Sequence, residues 1–183
     1  MKILGISGSL KSTSANTSIL EAASKLAKEN ININIYTGLE SLPHFNPDID
    51  GDTPPTAVKE LREALKSADG LIISSPEYAL GIPGSLKNLL DWTVSSGELV
   101  NKPTAVITAS PSYTGGENAF SSLLLTLSAV SANIPTEGRL IIPAVNKKID
   151  AEGNLTDPET AENLRNLLEA LTLTINENQS ETI

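Results

Sequence analysis

The chain predicts a doubly wound α/β fold: one parallel sheet of five strands in the order 2-1-3-4-5, with helices on both faces as a three-layer sandwich. Three observations predict it. Short apolar runs alternate with longer segments whose apolar residues recur every three or four positions. One run, Leu71 to Ser74, is short and apolar enough to be a central strand buried on both faces, as parallel strands are. The 183 residues carry no obvious linker or internal repeat, so residues 1–175 are expected to form one domain, with 176–183 as a frayed tail.

The first strand is predicted over Lys2 to Ile6 and the first helix over Ala15 to Lys28, with Ile19, Ala22, Ala23, Leu26 and Ala27 on one side. Ser14 is its favoured cap, with Ser12 and Thr13 as competitors. The alternation Ile31-Asn32-Ile33-Asn34-Ile35-Tyr36 places three isoleucines on one side, as an edge strand covered on one face requires. A loop rich in Pro, Gly and Asp follows from Thr37 to Pro55. The second helix spans Thr56 to Ser67, turning Val58, Leu61, Ala64 and Leu65 inward, and a short central strand follows at Leu71 to Ser74. The third helix begins near Gly84 and carries Leu86, Leu89, Leu90 and Val94 on one face. The fourth strand is Thr104 to Ala109, the fourth helix Glu117 to Ser131, and the fifth strand Arg139 to Ile142. The last helix runs from Pro158, a first-turn residue behind the capping Asp157, to Thr174.

Composition excludes several chemistries. Without cysteine there is no disulfide, thiolate nucleophile, zinc-thiolate site or Cys-ligated cluster, so redox activity would need a cofactor. A net charge of −9 repels nucleic acid and anionic membrane surfaces, while local amides and cations can still hold a small anion. No run approaches the roughly 20 apolar residues of a membrane span, and the N-terminal apolar stretch is too short for a signal peptide, so a cytoplasmic location is expected. The only histidine, His44, lies in a long loop beside Pro43 and Phe45. A hydrolase would need it as a base, yet no Gly-x-Ser-x-Gly elbow accompanies it. One histidine and scattered carboxylates make no metal site.

The strand order brings the loops after the first, third and fourth strands together at the carboxyl edge of the sheet, where ligands of such folds bind. The first reads Ser7-Gly8-Ser9-Leu10-Lys11-Ser12-Thr13-Ser14-Ala15-Asn16-Thr17 and leads straight into a helix. A helix start presents unpaired amides and partial positive charge, and the hydroxyls, the Asn16 amide and the Lys11 ammonium add donors for a monophosphate. It is neither a Walker A loop nor a Gly-x-Gly-x-x-Gly loop. The second loop, Ser75-Pro76-Glu77-Tyr78-Ala79-Leu80-Gly81-Ile82-Pro83-Gly84, has prolines and glycines that fix its path, exposed amides for a heterocycle's edge, and flat walls in Pro76 and Tyr78.

Ser-Gly-Ser-Leu-Lys with Ser14 and Asn16, and then Pro76-Glu77-Tyr78 with Gly81-Ile82-Pro83-Gly84-Ser85-Leu86-Lys87-Asn88-Leu89-Leu90-Asp91-Trp92, resemble the signatures of the NADPH-dependent FMN reductase family over residues 1 to about 142. The second motif is long and specific. The resemblance implies a flavodoxin-like domain that binds FMN and passes hydride from NADPH or NADH to a small-molecule acceptor such as a quinone, azo compound, metal ion or free flavin. It assigns Ser9, Leu10, Lys11, Ser14, Asn16 and Thr17 to the FMN phosphate, and Pro76, Glu77, Tyr78 and Ala79 to the isoalloxazine and ribityl region. Ser110, in the third loop Ala109 to Gly116, is assigned to the flavin's edge. Lys11 stands where the family usually has arginine, keeping the charge without the bidentate fork. Ala79 stands where many relatives have asparagine and offers only backbone.

By this resemblance the flavin carries the redox step and no side chain is a catalytic nucleophile. An alternative is an FMN electron carrier of the flavodoxin type without a nicotinamide site, although its usual phosphate loop is Thr-rich and this one is not. The resemblance also implies a homodimer or homotetramer. Trp92 shares a helix face with Ser85 and Asn88, off the leucine stripe, and is expected at a subunit interface, as is the nearly all-apolar fourth helix with Phe120, Leu123, Leu124, Leu125 and Leu127.

Overall fold

The computed structural model describes residues 1–181. Five parallel strands, β1 (Lys2–Ser7), β2 (Asn32–Ile35), β3 (Gly70–Ser75), β4 (Thr104–Ala109) and β5 (Arg139–Ile142), form one sheet ordered β2-β1-β3-β4-β5. The helices are α1 (Ala15–Leu26), α2 (Thr56–Ser67), α3 (Gly84–Asp91), α4 (Glu117–Ala129) and α5 (Pro158–Glu181). β1, β3 and β4 are buried along almost their whole length because helices cover both faces.

Side-chain alternation divides the core in two. Ile6, Leu71, Ile73 and Val106 face α2, α3 and α4, packing on Leu61, Leu65, Leu86, Leu89 and Leu123. Ile3, Ile72, Ala105 and Ile107 face α1 and α5, packing on Ile19, Leu20, Leu164 and Leu168. β2 pairs only with β1, and its Ile33 joins the second cluster with Ile31 and Ile35 against it, as the alternation predicts.

Three expectations are corrected. Trp92 is not at the surface: it is 0% exposed, its indole Nε1 donates to the Pro43 carbonyl at 2.8 Å, and Phe45 meets it edge-on at 5.1 Å. The loop after β2 folds over it, giving the ring both apolar cover and the acceptor that a buried indole needs. α3 ends at Asp91, so Val94 lies beyond the leucine stripe and is exposed. α5 runs past Thr174 to Glu181, anchored by buried Ile175 and by bonds from Asn178 Nδ2 to the Asn101 carbonyl and from Gln179 Nε2 to Asp69. The final two residues of the expected tail lie outside the described residues.

The long loop after β2 is also fastened by charge. Arg62 on α2 pairs with Asp50 at 2.6 Å, both nearly buried, and the same guanidinium nitrogen donates to the Trp92 carbonyl at 2.8 Å. Burial alone would raise the Asp50 carboxyl, but the Ser95 hydroxyl and the Arg62 guanidinium outweigh it and hold the pKa below the ordinary aspartate value.

Candidate active site

Register places a polar rung at the carboxyl edge of an apolar sheet. Ser7 at the end of β1 lies beside Ser74 on β3, and Ser75 lies beside Thr108 on β4. These four residues are buried, and three of them organise the loops above. Ser7 Oγ accepts from the Thr17 hydroxyl at 3.0 Å and from the Ser9 amide at 3.4 Å, drawing the first loop over β1. Ser74 Oγ donates to Asn16 Oδ1 at 2.9 Å, and Asn16 Nδ2 donates to the Ala109 carbonyl at 3.1 Å. Asn16 thereby moors the start of α1 to the ends of β3 and β4. Ser75 Oγ donates to the Pro76 carbonyl at 2.9 Å.

The first loop passes so close to β3 that a side chain at Gly8 would press on its neighbours. Its amide donates to the Ser74 carbonyl at 2.8 Å, and a Cβ would meet Leu86 at 3.0 Å and Ser75 Oγ at 3.1 Å. Ser14 is the cap of α1, its Oγ accepting from the Asn16 amide at 3.2 Å. Ser9 Oγ accepts from the Lys11 amide at 3.2 Å, bending the loop so that Leu10 and Lys11 stand exposed beside the helix start. A phosphate approaching here meets the positive end of α1, an ammonium and the hydroxyls of Ser9 and Ser14, so the donor set fits a dianion.

The second loop is a hairpin turned back on itself. Tyr78 and Gly81 exchange both backbone hydrogen bonds, at 2.9 and 3.0 Å, around Ala79 and Leu80. Both central residues have positive φ, 49° and 62°, the signature of a type I′ turn, usually built from Asn and Gly. Pro76 is buried at the base, while Tyr78, Ala79 and Leu80 project from it, Leu80 72% exposed. The result is a stiff ledge with an exposed aromatic face, a shape that fits a planar ring.

The third loop closes the site. Ser110, buried, donates its amide to the Ile142 carbonyl, and its Oγ accepts from the Ser112 amide at 3.2 Å. Gly116 starts α4 in the left-handed region with φ 89°. Glu77 reaches over from the second loop, its Oε2 accepting from the Ala119 amide of α4 at 2.9 Å. Thr108 Oγ1 is buried close by without a hydrogen-bond partner.

All the sequence-predicted site residues thus lie on three loops and the first turn of α1 at one edge of the sheet, moored to one another by Asn16, the Gly8 amide and Glu77. They divide by exposure: Leu10, Lys11, Tyr78 and Ala79 face outward, Ser9, Thr17 and Glu77 are half-buried, and Ser14, Asn16, Pro76 and Ser110 are buried. Sequence reasoning missed Ser7 and Ser74 as the polar floor and Ala119 as a partner of Glu77. The available signal was a serine ending each of two apolar strands. A cavity of about 420 Å³ beside α1 is lined by Ser12, Ser14 and Thr17 but also by Glu21, Asp150 and Glu152, whose charge disfavours phosphate. His44 is exposed on the loop after β2.

The profile described as NADPH-dependent FMN reductase matches residues 1–147. An NAD(P)H-dependent FMN reductase of Pseudomonas aeruginosa is 33% identical over 175 residues, covering 94% of each chain. An NADPH:quinone oxidoreductase of Arabidopsis thaliana is 32% identical, covering 93% of this chain and 90% of its own. Among solved structures, the flavoenzyme NAD(P)H:(acceptor) oxidoreductase FerB of Paracoccus denitrificans superposes with a TM-score of 0.85 at 27% identity, covering 96% of this chain and 97% of its own.

Proposed function

The chain belongs to the NADPH-dependent FMN reductase family, and we propose that it binds FMN across the three loops and catalyses electron transfer from a nicotinamide to a small-molecule acceptor. The activity is that of an FMN-dependent NAD(P)H oxidoreductase. Bound FMN supplies the two-electron chemistry, which suits a chain without cysteine.

The residues of the chain bind and orient. The start of α1, with Ser9, Lys11, Ser14 and Thr17 around it, takes the phosphate, and Leu10 contributes its backbone and an apolar flank. Asn16 holds that helix start in place through β3 and β4. The Pro76 to Ala79 ledge takes the ring, with Tyr78 as its flat wall, and Ser110 lies at the ring's edge. The described residues, 1–181, act as the single FMN-binding unit. Quinones are the favoured acceptors, by likeness to the plant relative's activity. No helix among the described residues is long and apolar enough to cross a membrane. A cytoplasmic location remains part of the proposed reading. It forms a homodimer or homotetramer, with Leu125 of α4, 75% exposed, as the apolar residue that a partner copy would cover.

The observation that carries this reading is the mooring of a capped helix start, through Asn16, to the two strands whose loops form the ring ledge and its edge. Anaerobic mixing of the FMN-loaded protein with NADPH or NADH tests it. Rapid bleaching of the flavin band is the expected result, and a persistent oxidised spectrum with both nicotinamides would turn the reading toward a flavodoxin-type carrier.

A further inference from the structure

α4 begins with a residue that cannot cap it. Gly116 has no side chain, and no side chain from its own position bonds the first turn. Its φ of 89° strains any other residue, and a Cβ there would lie 3.4 Å from both Glu77 Cβ and Thr108 Cβ. The cap comes instead from 42 residues earlier in the chain: Glu77 Oε2 accepts from the amide of Ala119, the third residue of the helix. A carboxylate at that point gains both a charge-assisted hydrogen bond and the attraction of the helix's positive end.

Glu77 is also the residue just before the Tyr78–Gly81 hairpin, and its neighbour Pro76 has no amide to fasten the ledge. Resting on the FMN reading above, we propose that Glu77 is a positioning residue. Its carboxylate ties the ring ledge after β3 to the start of α4, fixing the spacing between the two loops that flank the ring, and it acts through this bond rather than by touching the flavin. The donor is a main-chain N–H, so the tie needs an acceptor oxygen at Glu77 and not a negative charge as such.

Two variants and one observation on the unaltered protein test this. FMN titration, followed by quenching of free-FMN fluorescence, is run on the wild type, E77A and E77Q. Loss of the tie in E77A weakens FMN binding about tenfold, the scale of a lost helix cap. The glutamine oxygen of E77Q can still accept from Ala119, so that variant recovers most of the affinity, to within about threefold of wild type. Amide exchange of Ala119, read by NMR on the FMN-free protein, reports on the tie without any flavin. It is slow in the wild type and E77Q and about tenfold faster in E77A.

Equal loss of FMN binding in both variants, with Ala119 protected throughout, would overturn the proposal and make Glu77 a direct flavin contact. Fast Ala119 exchange in the wild type would overturn it as well, whether or not E77A folds. If the wild type itself fails to quench FMN, the cofactor reading falls, while Ala119 exchange still decides whether the tie exists.

Discussion

The hydroxyl of Ser74 donates to the side-chain oxygen of Asn16 at 2.9 Å, joining the end of the central strand to the first turn of α1 inside the protein. Asn16 is 3% exposed and spends an amide hydrogen on the Ala109 carbonyl, so it holds the helix start from below. This bond sets where a phosphate would meet α1.

Removing either partner leaves a buried polar atom unpaired. S74A is expected to cost about 1–3 kcal/mol and N16A about 2–3 kcal/mol of folding stability. The double variant should cost less than the sum, because the orphaned atom is removed too. Urea unfolding midpoints measure all three, and strict additivity would show that the bond contributes nothing.

Lys11 is exposed, and its ammonium carries the positive charge of the first loop. K11A is expected to weaken FMN binding by about three- to tenfold. K11R should tighten it about threefold by restoring a two-pronged donor. The K11A deficit should shrink as salt is raised toward 1 M, where screening falls to about 3 Å. Fluorescence titrations at low and high salt provide the comparison.

The ion pair between Asp50 and Arg62 clamps the loop that covers Trp92. With the folded pKa of Asp50 held below its unfolded value, the pair stabilises fully above about pH 4 and loses its contribution as pH falls through the depressed value. D50N is expected to cost about 2–3 kcal/mol near neutral pH. Its difference from wild type should narrow in acid, as seen in urea melts at pH 7 and below pH 3. A gap that is unchanged across that range would separate the clamp from the Asp50 charge.

Ala79 and Leu80 occupy left-handed conformations that cost roughly 1–2 kcal/mol each for ordinary L-residues. Replacing them by the Asn-Gly pair that this turn prefers should stabilise the protein by about 1 kcal/mol, after the extra chain entropy of glycine is subtracted. A rise in thermal midpoint without loss of FMN binding is the expected outcome. A fall would mean that the exposed Leu80 side chain contributes more than the strain removes.

The local geometry of the candidate site was legible because its signals are local. The capping Ser14, the Ser-rich turn into α1 and the Pro-Glu-Tyr segment each sit within a few residues of the backbone they shape. Trp92 was misread for the opposite reason. Its place on α3 put it off the leucine stripe, and only the loop from β2, folding back to present the Pro43 carbonyl and Phe45, turned that face into an interior. Glu77 followed the same logic: the motif marked it as part of the ledge, but its partner at Ala119 belongs to another helix. α5 outran its predicted end because its last turns bond Asn101 and Asp69, contacts that helical periodicity does not register.

Periodicity, strand apolarity and cap residues determined the elements, their two-sided burial and, through the parallel order 2-1-3-4-5, which loops share an edge. The elements and their caps are encoded within short local windows, and the order follows from the alternation of strands and helices along the chain. Only the tertiary structure decided which side chains serve as moorings and which remain open to a ligand. A polar group commits to whatever partner the sheet register brings within about 3 Å, and residues as distant as Asn16 and Ala109 become neighbours only when the strands are paired.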